Sequence, residues 1–209
     1  MTEILTFANV KGGSGKSTLC VNLAASLRNG GHSVSVIDAD KQNCAFDWII
    51  SSSDENLKQI SVYQHSKISN LSELYSDFIL IDTQGSLTKE MAHYLNLSSI
   101  VITPCKVSRD DIVGQGWVEI FLQQLSKDGK KIPCLTVLNG VNKRSAILSH
   151  VIAQLSNDRI LTAKTTIGQR VCYAETNVNK CSVIGYNKSA TLEIQSLMEE
   201  ILLLLSKEK

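Results

Sequence analysis

The chain has 209 residues, of which 43% are apolar and 20% charged, and a formal net charge of +1. That size and balance suit one full-sized globular core and exclude a fibrous or disordered chain. No run approaches 18 consecutive apolar residues and "MTEILTF" has no basic leader, so neither a transmembrane helix nor a signal peptide is expected.

The apolar, β-branched run "ILTFANV" (4–10) predicts a first strand. "KGGSGKST" (11–18) follows and runs into a helical pattern over 16–29 that stops at Gly30 and Gly31. The phosphate-loop pattern G-x-x-x-x-G-K-[ST] is met by Gly15, Lys16 and Ser17. Its first glycine is replaced by Val10, and a second lysine, Lys11, stands beside it. Gly12, Gly13 and Gly15 lack a Cβ, so backbone N–H groups around Ser14 can turn inward. The helix that starts near Lys16 points its positive end at the same place, which makes an anion cup. In such a cup Lys16 neutralises β- and γ-phosphate oxygens, Ser17 places its hydroxyl on Mg²⁺, and Thr18 reaches an inner phosphate. A dinucleotide fingerprint would need glycine where Thr18 stands.

"SVSVID" (33–38) predicts the second strand, with Asp38 and Asp40 two residues apart at its carboxyl end. One carboxylate there can order an attacking water, and the other can hold a metal-bound water or the loop serine. A helix over 44–52, a strand over 60–64 and a helix over 69–76 come next. "FILID" (78–82) is a Walker B pattern in which Asp82 binds Mg²⁺ through water. Thr83 to Ser86 then form a loop placed to sense the γ-phosphate. Further strands are expected at 99–104, 133–139 and 159–163, and helices at 87–96, 110–127, 144–157, 167–176 and 188–206. Asn139 closes one strand, where it can hydrogen-bond adenine or serve a turn.

This alternation predicts an α/β doubly wound fold, a mostly parallel sheet with helices on both faces. No Pro-rich or Gly/Ser-rich linker breaks it, so a single domain over 1–209 is expected. In the last helix Ile194, Leu197, Met198, Ile201, Leu204 and Leu205 share one face, as in a core helix. Glu193, Glu199 and Glu200 lie opposite, the wrong charge for an anionic bilayer, so no membrane partner is expected. The six cysteines form no C-x-x-C pair, which points to free thiols in a reducing compartment. Charge is uneven: residues 1–126 carry 9 basic and 13 acidic side chains, residues 127–188 carry 10 and 3. The second segment can be a solvated face or a surface for a polyanion.

"KGGSGKST", "DAD" (38–40) and "ILIDTQGS" (79–86) together resemble the ParA/MinD group of deviant Walker A ATPases. "VITPCKVSRDD" (101–111), with Pro104, Ser108 and Asp111, and "TTIGQRVCYAE" (165–175), with Arg170 and Tyr173, extend the likeness along the chain. The chain looks most like the small plasmid-partition ATPases. The resemblance implies a P-loop ATPase using ATP and Mg²⁺ that forms a homodimer around two nucleotides. Lys11 then acts in trans on the partner's phosphates and Lys16 in cis, with Asp38 and Asp40 completing the catalytic set. Nucleotide contacts run over Lys11, Gly12, Gly13, Ser14, Gly15, Lys16, Ser17 and Thr18, with Asn139 at the base, and the metal falls to Ser17, Asp40 and Asp82. It also implies slow hydrolysis stimulated by a ParB-type centromere-binding adaptor, cytoplasmic and nucleoid-associated localisation, and non-specific DNA binding by the dimer. Lys143, Arg144, Lys164, Arg170, Lys180 and Lys188 are the candidate DNA contacts, and Arg170 can instead serve the dimer interface. Lys41-Gln42-Asn43, Val107 and "DTQGS" depart from the usual pattern. They leave room for a conjugation-associated or membrane-cycling relative, or for a metabolic enzyme on the same loop.

Overall fold

In the computed structural model, which describes residues 2–65, 71–126, 132–142, 148–155 and 161–207, β1 (Glu3–Phe7) lies at the middle of a parallel sheet. On one side of it come β4 (Phe78–Thr83), β2 (Val34–Ala39) and β3 (Ser61–Gln64). On the other come β5 (Ile100–Cys105), β6 (Cys134–Val141) and β7 (Leu161–Thr162), and the short β8 (Ile167–Gly168) pairs with β6. The chain leaves β1 toward β2 and later leaves β4 toward β5, so the carboxyl end of β1 is the switch point where ligands of open α/β sheets bind. Register carries this to the residue: Phe7 stands opposite Asp82, and Asp82 opposite Asp38.

Helices cover both faces, which explains why the central strands are apolar almost throughout. On one face Leu5 and Phe7 pack with Leu19 and Leu23 of α1 (Lys16–Asn29), Trp48 of α2 (Cys44–Ile50) and Ile194 and Leu197 of α7 (Lys188–Lys207), all fully buried. On the other, Ala8 and Val101 meet Met91 and Leu95 of α3 (Lys89–Leu97) and Val118 and Leu122 of α4 (Arg109–Leu125). α5 (Leu148–Leu155) covers Leu138 and Val141 of β6. Four of the six cysteines are buried and all six are free.

Several boundaries differ from the sequence expectation. β1 ends at Phe7 rather than at residue 10, because Asn9 turns its side chain to bond the Pro104 carbonyl at 2.7 Å. Of the helix expected at 69–76, the described part is a 3-10 turn, Leu71–Glu73. The helix expected at 167–176 begins later, as α6 (Val171–Val178). Tertiary pairing has drawn Ile167 and Gly168 into β8, where Glu193 accepts the Gly168 N–H.

Candidate nucleotide site

The loop after β1 wraps a cavity of about 620 Å³, a size that fits a small-molecule ligand. Gly12, Gly13, Gly15, Lys16, Ser17 and Thr18 line one side; Asp40, Lys41, Gln42, Cys44, Gln84, Gly85, Ser86 and Asn177 line the rest. Gly13 has φ +75° and Gly15 has φ +105°, conformations that favour glycine, so the cup depends on both. Gly15 caps α1, whose first turn holds no acidic residue that would compete with an anion. Gly85 lets the loop after β4 rest on this one: a Cβ there would lie 3.1 Å from the Gly12 nitrogen.

The two lysines differ in placement. Lys16 is 7% exposed and donates to the Lys11 carbonyl at 3.2 Å. Burial lowers its pKa, against the pull of Asp82 and Asp40. The Lys11 side chain is 38% exposed and meets the first turn of α4, at 3.1 Å from Asp111 and 3.6 Å from Asp110. The Asp111 hydrogen bond holds the Lys11 ammonium above its ordinary pKa. Burial pushes the Asp111 carboxyl up, but Ser108 and Lys11 outweigh it and the net shift is down.

Asp38 is buried, and its two oxygens accept the N–H groups of Asp40 and Phe46, each at 2.9 Å. The carboxylate thus fixes the turn into α2, and burial raises its pKa. Asp82 is fully buried and its pKa is pushed up to about 7, mainly by desolvation. Neither of its oxygens closes a full hydrogen bond, although Ser17 stands near enough to favour the ionised form. A buried carboxylate left open in this way, beside a serine hydroxyl, fits a hard divalent cation such as Mg²⁺.

Asn139 reaches the site from β6, but its amide donates to the Ser14 carbonyl at 2.7 Å. Among the basic candidates, Lys143 and Arg144 lie outside the described residues. Lys164, Arg170, Lys180 and Lys188 do not line the cavity. The Arg170 guanidinium is committed to Glu193 through Nε at 3.1 Å and Nη2 at 2.7 Å. Asn9, Gly114 and Asn177 escaped sequence reasoning. The Asn9 carbonyl oxygen accepts the Lys11 N–H at 2.9 Å, and Gly114 of α4 lets the chain pass close to Asn9. Asn177 enters the cavity because α6 is tied back to α2 and the loop after it, where Trp48 donates to the Cys181 carbonyl and Ser182 to Asp54.

A parallel sheet with a glycine cup at its switch point, an inward lysine and an open buried aspartate defines a P-loop nucleotide-binding domain. Residues 5–180 match the CobQ/CobB/MinD/ParA nucleotide binding domain, and the chain belongs to that family. Its ParA/MinD-type members are nucleotide-binding positioning ATPases. The chain is 25% identical over 207 residues to the maintenance of carboxysome distribution protein A of Halothiobacillus neapolitanus, covering 95% of each. A plasmid partition protein of Borrelia burgdorferi bound to AMPPNP superposes with a TM-score of 0.78 at 21% identity, over 97% of this chain and 99% of that one. Apo McdA from Cyanothece gives 0.81 at 15% identity, over 97% and 100%.

Proposed function

We propose that this chain is a ParA-type ATPase that dimerises on Mg-ATP, binds DNA without sequence preference and positions a plasmid or other DNA cargo. A ParB-type adaptor stimulates its otherwise slow hydrolysis. The observation that carries this reading is the separation of the two lysines. Lys16 lies buried in the wall of the cup, whereas Lys11 is a half-exposed cation outside its lining. A cation so placed can serve a phosphate presented by a second copy, and it supplies charge only after the two copies meet. ATP then holds the dimer together, and hydrolysis releases it.

Within one copy, backbone N–H groups of the glycine loop and Lys16 bind the phosphates, and Thr18 reaches an inner one. Ser17, Asp40 and Asp82 would hold Mg²⁺, which when bound neutralises phosphate charge. Asp38 and Asp40 order the attacking water, with Asp38 locked in one orientation by its two N–H partners. The excess of basic residues over 127–188 supports a polyanion-facing surface, and a nucleoid-associated, cytoplasmic protein follows from it. The buried apolar face of α7 supports packing rather than membrane cycling, and no helix among the described residues is long and apolar enough to cross a membrane.

A second reading changes only the cargo. The whole-length match to a carboxysome distribution protein favours a protein body carried over DNA by the same dimer.

The test is Lys11→Ala, followed by light scattering and DNA co-sedimentation with Mg-ATP. The variant should keep ATP binding but lose ATP-dependent dimerisation, DNA association and stimulated turnover. Normal dimerisation and turnover by Lys11→Ala would sink the reading.

A further inference from the structure

We infer that Asn139 is a positioning residue for the phosphate cup, acting on the backbone of the loop rather than on the base of the nucleotide. It stands near the carboxyl end of β6, 125 residues away from Ser14 in the chain, and its Nδ2 donates to the Ser14 carbonyl at 2.7 Å. Ser14 is fully buried and its hydroxyl has no partner among the described residues, so this side-chain contact is what holds the residue. The peptide bond between Ser14 and Gly15 is trans. In a planar trans peptide the C=O and N–H point in opposite directions. Pinning the Ser14 carbonyl toward β6 therefore aims the Gly15 N–H away from it, into the cup.

That orientation needs a clamp. Gly15 sits at φ +105°, and a glycine can let its neighbouring peptide rotate at little cost. A rotated Ser14–Gly15 unit would present a carbonyl oxygen to the phosphates in place of a donor. Asn139 also occupies the space beside the Gly15 Cα: a Cβ built there would overlap its amide nitrogen. Glycine is thus required at 15 both by φ and by Asn139. With its amide nitrogen engaged on Ser14, Asn139 spends on the loop the donor that a contact to adenine would use.

The inference rests on the proposal that this cup holds the phosphates of ATP, and the experiment separates the two. Affinities for Mg-ATP and for Mg-tripolyphosphate, which has no base, are measured by displacement of a fluorescent ATP analogue. Wild type is compared with Asn139→Ala and with Asn139→Leu, which preserves volume while removing the donor. Thermal unfolding without ligand confirms that each variant is folded, and if alanine leaves a destabilising gap the leucine variant carries the measurement. Both ligands should weaken by the same factor, about tenfold, as expected for one lost hydrogen bond. A loss confined to ATP, with tripolyphosphate unchanged, would assign Asn139 to the base and overturn the inference. So would unchanged affinity for both. Failure of the wild type to bind either ligand would overturn the nucleotide reading itself.

Discussion

Lys11 and Asp111 form an ion pair at 3.1 Å within one copy of the chain, between the phosphate loop and the first turn of α4. Asp111 is almost wholly buried and also takes the Ser108 hydroxyl, so it is a fixed partner rather than a passing one. A lysine that serves a second copy must leave this pair first. Asp111→Asn keeps the shape of the site and removes the charge. It should tighten Mg-ATP-dependent dimerisation by about two- to fivefold, the range expected for a half-exposed ion pair. Sedimentation equilibrium checks this, and an unchanged or weaker dimer would show that the pair does not restrain Lys11.

Asp82 makes the unliganded fold sensitive to pH. Its folded pKa is about 7, above the ordinary aspartate range. A carboxyl raised on folding costs nothing while both states are protonated. The penalty then grows as pH rises from the ordinary range to about 7, because the unfolded chain ionises first. Without Mg²⁺, the melting temperature of the wild type should therefore fall, relative to Asp82→Asn, between pH 4 and pH 7. Adding Mg-ATP at pH 8 should raise the wild type more than the variant. Parallel melting curves for the two proteins across this range would refute the assignment.

The parts readable before the structure are those written in neighbouring residues. The cup is a run of eight positions from Lys11 to Thr18, and Asp38, Asp40 and Asp82 each close an apolar strand. Their strand registers then bring them together. What escaped depends on partners far apart in the chain. Asn9 meets Pro104, Asn139 meets Ser14, and Asn177 reaches the cavity through contacts of Trp48 with Cys181 and of Asp54 with Ser182. No local pattern marks such pairs. The same cause moved Arg170 from a candidate DNA contact to a structural one, since its partner Glu193 lies 23 residues away on another helix.

Arg170 therefore yields a stability prediction. Glu193 is 8% exposed and accepts from Arg170, from the Gly168 N–H and from the Tyr173 hydroxyl. Removing the guanidinium leaves a buried carboxylate short of its counter-charge. The full cost of breaking a buried pair, about 3–5 kcal/mol, is reduced because the Arg170 side chain is 33% exposed. Arg170→Ala should cost about 2 kcal/mol, or roughly 4–8 °C in melting temperature for a chain of this length. The salt dependence of DNA binding should stay as in the wild type. A shallower salt slope with unchanged stability would return Arg170 to the DNA surface.

Two glycines of α4 should respond in opposite directions to the same substitution. A Cβ on Gly116 meets nothing within 4 Å, whereas one on Gly114 would lie 2.8 Å from Asn9 Oδ1 and 3.2 Å from Val10 Cγ2. At an unobstructed helical position alanine is favoured over glycine by about 1 kcal/mol. Gly116→Ala should therefore raise the melting temperature by roughly 2–4 °C. At Gly114 the added methyl must displace Asn9, which is fully buried and bonded to both Pro104 and the Lys11 N–H. Overpacking of that kind costs about 1–3 kcal/mol. The larger consequence is functional, because Asn9 sets the backbone from which Lys11 and the cup depart. Gly114→Ala should lower both the melting temperature and the affinity for Mg-ATP, while Gly116→Ala leaves the affinity unchanged. Equal effects of the two substitutions would mean that the close approach at Gly114 does not position the loop.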